Sequence, residues 1–536
     1  MGSRVEELNS VRASRLPLEP SPHFACLRDF LRSSDFYEPA ICRRVGMVGL
    51  DEFLSGDRAR ITLSGESETL GMLIRLFLLG QSLEVKALES AIPAGVVEAM
   101  KELGLLIQDP ADFAPPLAPL PNRRGESEVR APTKMCATVA LYPVGRLFIV
   151  SDRWTLPQGS VRELPEDFVF AAITPNTSQF IATLPKEPCD TLLDLCSGTG
   201  VAALDAARRG CRTTWAVDIT CRSTEMAQFN RLLNGLNNVT IMQGDLYEHL
   251  DDLTFDRIVA HPPYMPVLGR AQAFYDGGVD GEQVTRRIVV GLPRYLRPGG
   301  RFYCLAQGSD RENAPFEQRV RGWLGEVQSE FDVLVIVRQD QAPADTALQY
   351  AVKAKGGGGA VQQMREMLRD LGIQNMTYGW LIVQRRDDSR PVFTVRRSVG
   401  RISARDEIGW LLNWETALVK PGFIERLAEA RPVAAPSSEL HTVHRMKNGE
   451  LQPEQFKLHT EYPFDVECRV QPWVGFLLPQ CDGKSTVRQL HEFCRQNKLI
   501  HQETPLAEFT KLLSVFISAG FLEVEEFTLP EGLARR

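Results

Sequence analysis

The sequence predicts an α/β protein in which a doubly wound sheet is carried between two smaller modules. Three observations predict it. From about residue 190, strand-like and helix-like runs alternate, the pattern of βα units in a mainly parallel sheet. A glycine-bearing turn, Cys196-Ser197-Gly198-Thr199-Gly200, joins the first of these strands to a helix. Asp218 and Asp245 close the next two strands, at the carboxyl ends where open α/β sheets bind ligands.

Size and composition agree. At roughly 100–200 residues per domain, a chain of 536 residues holds about three or four domains. Apolar residues at 43% and charged residues at 24% exclude disordered, collagen-like and disulfide-scaffold classes. With 61 basic and 68 acidic residues, net charge is −7, so no whole-molecule basic field is present to draw nucleic acid or an anionic membrane. The start, Met1 to Glu7, lacks a signal-like apolar core, and the longest apolar stretch, Leu70 to Leu79, is short and carries Arg75. Eleven scattered cysteines without a CxxC pair read as reduced thiols. These features predict a soluble, cytoplasmic chain with no membrane partner.

The elements follow in order. Phe24, Leu27, Phe30 and Leu31 fall at helical spacing, as do Leu73, Leu76 and Phe77. Leu83–Leu88, Ala94–Met100 and the exit Leu103–Ile107 then predict small helices ending in a strand, so residues 1–108 form a helical, winged-helix-like module. Residues 109–133, with Pro115-Pro116 and Pro119-Leu120-Pro121, read as a stiff linker. Strand-like runs follow at Ala137–Tyr142 and Arg146–Val150. The main sheet is predicted at Thr191–Leu195, Thr213–Val217, Val239–Gln243, Arg257–Ala260, Arg301–Ala306, Val333–Val337 and Trp380–Gln384. An insertion before the last strand holds a glycine run, Gly356–Gly359, read as a hinge or loop, and an amphipathic helix around Met364, Met367 and Leu368. The core domain spans 134–390. Residues 391–536 form a C-terminal α+β module whose tail, from Val474 to Val524, again reads as short helices with a closing strand.

Glycines at the strand-to-helix turn let a ligand approach the backbone closely, because no Cβ intrudes. Ala203 stands where a dinucleotide fingerprint would place its third glycine. Asp218 is placed to accept ribose hydroxyls, and Asp245, in Gln243-Gly244-Asp245-Leu246, to accept an adenine amino group. The fourth strand runs into His261-Pro262-Pro263-Tyr264, beside the same crevice.

In these residues the sequence resembles class I S-adenosylmethionine-dependent methyltransferases. It is most similar to the small-domain group that contains the release-factor glutamine methyltransferases, whose turn usually reads Asn-Pro-Pro-Tyr. Pro175-Asn176-Thr177-Ser178, Gly277-Gly278-Val279-Asp280-Gly281 and Leu296-Arg297-Pro298-Gly299-Gly300 agree with that group. The likeness covers residues about 135–385. It implies a Rossmann-like, seven-stranded methyltransferase core with S-adenosyl-L-methionine as cofactor. The flanking modules look like those of bacterial three-part methyltransferases, and the tail at Cys481-Asp482-Gly483 is similar to small winged-helix domains of the PqqD kind.

The resemblance implies roles residue by residue. Gly198 and Gly200, with Cys196, would pass under the methionine end, and Asp194 would fix that loop or the methionine amino group. Asp218 with Ile219 would hold the ribose, Asp245 with Leu246 the adenine, and Thr177 would line the same pocket. His261 and the Pro262 carbonyl would accept the hydrogens of the target nitrogen, and Tyr264 would stack on a planar target. Here His261 replaces the usual Asn. A neutral imidazole offers one acceptor nitrogen and can also take a proton, so His261 either serves as a base or only orients the acceptor. The activity implied is N-methylation of a planar nitrogen on a small molecule, peptide or protein in a biosynthetic or modification pathway. The alternatives are an RNA or DNA base methyltransferase, a partner class the acidic charge balance does not favour, and a non-catalytic scaffold that binds cofactor.

Other polar residues read more plainly. His249 reads as surface, Cys196 and Cys221 as unactivated thiols, and Arg396-Arg397 with Arg401 as a solvated face. His441 and His444 have the spacing of a metal pair, but no cysteine or carboxylate cluster accompanies them in sequence, so no metal site is expected.

Overall fold

A computed structural model describes residues 16–54, 61, 69–109, 133–153, 164–268, 273–312, 314–353, 358–400 and 405–530. The expected linker, apart from its two end residues, lies outside the described residues, as do Gly356, Gly357 and Arg401. Two compact units divide the chain. The first comprises residues 1–181, 186–263 and 270–276, and the second residues 182–185, 264–269 and 277–536.

The first unit opens with α1 (Pro22–Ser33), which starts on a proline at its first turn and buries Phe24, Leu27 and Leu31. α2 (Glu38–Val45) stops at Gly46, whose φ of 73° is left-handed. α3 (Thr69–Leu73) runs into a π turn, Ile74–Leu78, that buries Ile74, Leu76 and Phe77. β1 (Leu83–Glu84), α4 (Val85–Ala91), α5 (Ala94–Glu102), β2 (Leu106–Gln108) and β3 (Lys134–Ala137) follow. β3 lies between β1 and β2, antiparallel to both. β4 (Ala140–Val144) and β5 (Leu147–Ser151) form a hairpin, and α6 (Pro175–Thr183) leads towards the sheet.

The parallel sheet of this unit has the order β9-β6-β7-β8, from β6 (Thr191–Leu195), β7 (Thr213–Asp218), β8 (Val239–Gln243) and β9 (Phe255–Ala260). Its strands are short apolar runs because helices cover them. α7 (Val201–Arg208) and α8 (Cys221–Asn234) connect them. α8 also organises the N-terminal elements. Its Asn230 side chain accepts from the Val150 amide at 2.7 Å and donates to the Val150 carbonyl at 3.2 Å and the Thr199 carbonyl at 3.0 Å. One turn on, Asn234 exchanges two bonds with Phe148, at 2.9 and 2.7 Å. Phe229 of α8 meets Phe24 of α1 edge-on, with ring centres 5.1 Å apart. At the far ends of the strands the sulfurs of Cys189 and Cys211 lie 3.4 Å apart.

The second unit holds α9 (Gln283–Tyr295), β10 (Leu296–Arg311), α10 (Phe316–Trp323), β11 (Phe331–Gln341), α11 (Pro343–Lys353), α12 (Gly358–Asp370), β12 (Ile373–Arg385) and β13 (Thr394–Val399). β12 lies between β10 and β11 and is antiparallel to both, whereas β13 runs parallel to β11. The parallel expectation therefore fails at β12. Two successive helices, α11 and α12, lie between β11 and β12, and an out-and-back pair returns the chain to the end it left, so the next strand must run the other way. α12 is the amphipathic helix expected, burying Met364 and Leu368 against Ile373 and Met376. Gly358 and Gly359 begin that helix instead of forming a loop.

The remainder comprises α13 (Arg405–Leu418), α14 (Phe423–Leu427), β14 (Val433–Ala434), β15 (Glu439–Lys447), β16 (Glu450–Thr460), β17 (Phe464–Val470), α15 (Val474–Leu477), α16 (Val487–Gln496), α17 (Leu506–Ser518) and β18 (Leu522–Glu523). β15, β16 and β17 form an antiparallel meander that joins β13 through β17. β18 closes the tail by pairing with β14. α16 starts with a reciprocal capping box between Thr486 and Gln489. Among the described residues, no helix is long and apolar enough to cross a membrane.

Candidate active site

Strand register gathers the candidate residues of the first unit. Leu195 pairs with both Val217 and Ala260, and Asp218 pairs with Gln243. The glycine turn, Asp218, Asp245 and His261 therefore all leave the same edge of one parallel sheet. Further bonds lace that edge: the Ser197 amide donates to the Val217 carbonyl at 3.1 Å and the Gly244 amide to the Asp218 carbonyl at 3.0 Å.

The turn is built from alternating left-handed residues, Cys196 at φ 56°, Gly198 at 53° and Gly200 at 75°. A Cβ at Gly198 would meet nothing within 4 Å, so this face of the loop is open. At Gly200 a Cβ would come within 3.0 Å of the Ala227 Cβ, so its glycine admits α8 to the loop. Cys196 carries a side chain where left-handed backbone is costly.

Two carboxylates hold the turn. Asp218, 8% exposed, accepts from the Gly198 amide at 2.9 Å with one oxygen, and from the Thr220 amide at 3.0 Å with the other. Asp194, 2% exposed, accepts from the Ala203 amide at 3.2 Å in the first turn of α7. Burial pushes Asp194 up to about 8, the Ala203 amide opposes this, and the Asp218 charge adds to it. The Ser197 hydroxyl is buried without a hydrogen-bond partner. An open glycine face, an orphaned buried hydroxyl and a buried carboxyl held neutral fit a ligand that brings both a cation and hydrogen-bonding groups.

The other expected residues fall around this edge. Ile219 is exposed beside Asp218, Leu246 is buried at a left-handed φ of 58°, and the Asp245 amide donates to Glu248 at 3.1 Å. Thr177 lies in α6, and its hydroxyl sits 2.9 Å from that of Thr174 at the helix start. His261 packs at 5.4 Å and a 35° tilt against Phe180 of the same helix. His261 retains some exposed surface, yet enough protein surrounds the ring that burial lowers its pKa to about 4. Pro262 is buried.

Tyr264 belongs to the second unit. Its ring lies 5.3 Å from that of Tyr378 on β12. Gly277 and Gly281 press against its backbone: a Cβ at Gly277 would come within 2.8 Å of the Tyr264 Cα, and one at Gly281 within 2.6 Å of its carbonyl oxygen. This explains the glycines noted after the turn. Behind them Glu282, fully buried, accepts from the Ser309 amide at 2.6 Å and from Arg319 at 2.8 Å. Arg311 bonds Asp280 at 2.7 Å. The α11–α12 insertion reaches the segment after the turn through Tyr350, whose hydroxyl accepts from the Leu268 amide at 3.2 Å.

Several residues here escaped sequence reasoning. Asn230 and Asn234 had a signal, two amides four apart on a helix that otherwise buries apolar residues. Phe180, Ser197 and the Glu282 network had none. Arg396 and Arg397 do not form the solvated face expected. Arg396 bonds Asp310 at 2.7 Å and Thr377 at 2.8 Å, and Arg397 bonds Ser518 at 2.6 Å.

Residues 158–329 match the family model described as methyltransferase small domain. Over this segment the chain is similar to the methyltransferase small domain family. Residues 55–115 match a domain of unknown function. The chain is 35% identical over 215 residues to the ribosomal protein uL3 glutamine methyltransferase of Bradyrhizobium diazoefficiens, covering 37% of this chain and 66% of that protein. It is 35% identical over 142 residues to the release factor glutamine methyltransferase of Moorella thermoacetica, covering 24% and 50%. The corresponding enzyme of Xylella fastidiosa is 36% identical over 130 residues, covering 22% and 46%. The chain thus spans less than two thirds of the length of each. The donor set of the methyltransferase domain fits S-adenosyl-L-methionine, the cofactor of its class.

Proposed function

We propose that this chain methylates the nitrogen of a planar amide or amine on a protein or peptide. The observation that carries the reading is the strand register, which sets His261-Pro262 beside the Cys196–Gly200 turn at one sheet edge. The cofactor supplies a methyl group on a sulfonium when bound. What the protein must do is position, because an in-line displacement gains most from alignment and from the electrostatics around dispersing charge.

Each group has a part in this. Asp218 and Asp194 fix the turn and favour a cation there. The Pro262 carbonyl and a ring nitrogen of His261 accept hydrogen bonds from the target nitrogen and aim its lone pair. Burial disfavours the imidazolium, which supports an orienting role for His261 over that of a strong base. Within the second unit, the Tyr264 ring packs against that of Tyr378. The glutamine methyltransferase names of the relatives support a protein acceptor over a small molecule. Internal pairing of Arg396 and Arg397 withdraws two of the basic groups that a nucleic-acid substrate would use.

The test is incubation of the full chain with methyl-labelled S-adenosylmethionine and a cell extract, followed by fractionation. Label in protein, recovered as a methylated side-chain amide after digestion, is expected. Label in small molecules or RNA, or none above a chain carrying Asp218→Ala, would overturn the reading.

A further inference from the structure

We infer that the β15–β16–β17 face binds a late first-row divalent cation, Zn2+ foremost, through Glu439, His441 and His459. Strand register brings them together. Glu439 lies directly opposite His459, and His441, two residues further along β15, shares the face of Glu439. The Glu439 Oε2 is 2.7 Å from His441 Nε2 and 3.8 Å from His459 Nδ1. One ligand atom from each of the three lies within 4.8 Å of the others. Tetrahedral zinc with bonds of about 2.0–2.1 Å needs ligand atoms about 3.3 Å apart, so the three are set with small rotations of exposed side chains.

The support behind His459 is a second, independent observation. Its other ring nitrogen, Nε2, lies 3.4 Å from Asp465 Oδ1 at the start of β17. A carboxylate behind one nitrogen orients a histidine and directs the lone pair of the other nitrogen towards a metal. The cation facing this row from β16 is drawn aside, since Lys457 bonds Glu467 at 2.7 Å. Arg445 likewise bonds Glu454 at 2.7 Å. Glu439 therefore faces two imidazoles. Two histidines and one carboxylate form a zinc donor set that leaves one position open. His444, three residues beyond His441 on β15, falls on the opposite face by strand alternation and takes no part.

The experiment titrates the full chain with Zn2+ against a chromogenic chelator, and with Co2+ while recording the visible spectrum. One equivalent of Zn2+ and the intense visible bands of four-coordinate Co2+ are expected. His441→Ala, His459→Ala and Glu439→Gln should each weaken binding at least about tenfold, while His444→Ala leaves it unchanged. Melting curves of the variants establish that these surface substitutions leave the fold intact. Absence of stoichiometric binding would overturn the inference. So would binding indifferent to all three substitutions, or binding lost instead with Cys189→Ser or Cys211→Ser, which would move the metal to the thiol pair.

Discussion

Binding of S-adenosylmethionine should release a proton from Asp194. Burial holds this carboxyl at about 8, so at pH 7 it is about nine tenths protonated. A cation entering beside the glycine turn favours the ionised form and returns the group towards the ordinary carboxylate range. Between pH 6 and pH 7, where the ligand's own ammonium stays charged, the ionised and binding-competent fraction rises from about 0.01 to about 0.09. Affinity should therefore increase about ninefold over that unit, or about 1.3 kcal/mol. Isothermal titration at pH 7 in two buffers of different ionisation enthalpy counts the protons directly. About 0.9 proton should leave the wild-type protein, and none from this group in Asp194→Asn. A wild-type affinity that is flat from pH 6 to pH 7, or an unchanged proton count in Asp194→Asn, would refute the reasoning. The sign for folding is opposite. A folded pKa raised above the unfolded value makes the native state bind more protons between about pH 4 and 8, so stability without ligand should fall as pH rises through that window. Asp194→Asn should flatten the fall, as read by melting temperature.

Four further outcomes are expected. His261→Ala should lower the methylation rate about 10²-fold, His261→Asn should retain most of it, and the wild-type rate should show no loss from His261 protonation until pH nears 4. Gly200→Ala should weaken cofactor binding and cost about 1–2 kcal/mol of stability, since its φ is 75° and the new Cβ would crowd Ala227; a binding isotherm and a denaturant melt read both. Asn230→Leu should cost about 1–3 kcal/mol by leaving the Val150 groups and the Thr199 carbonyl unpaired, measured as a drop in melting temperature. Treatment with a diamide oxidant should join Cys189 to Cys211, whose sulfurs are 3.4 Å apart, with a mass loss of about two hydrogens that Cys189→Ser abolishes.

The cofactor half of the site was legible because its requirements are local. A left-handed turn needs glycine, a strand end needs a carboxylate, and both are read within a few residues. Thr191–Leu195 and Val239–Gln243 match the expected strands to the residue, since short apolar runs bounded by turn residues have few other uses. β10 and β12 run several residues beyond their apolar centres, because the ladder continues through buried polar residues such as Gln307, Ser309 and Thr377, which no apolar run marks. The reversal of β12 was not legible, since direction depends on where the α11–α12 pair returns the chain. The pairing of Glu439 with His459 and of Arg396 with Asp310 depends on register between distant segments, which no local pattern encodes.

The amide ladder on α8 bears on where this methyltransferase domain can be cut. The family match begins at residue 158, but Asn230 and Asn234 spend their amides on β5, which ends at Ser151. A chain trimmed to the matched segment would face water or solvent-filled gaps along that helix with two stranded amides and a bare Phe229. It would also lose the strand that helps hold the Thr199 carbonyl in register with the cofactor turn. The matched segment and the hydrogen-bonded unit are thus offset, and a stable fragment is expected to reach back at least through the β4–β5 hairpin.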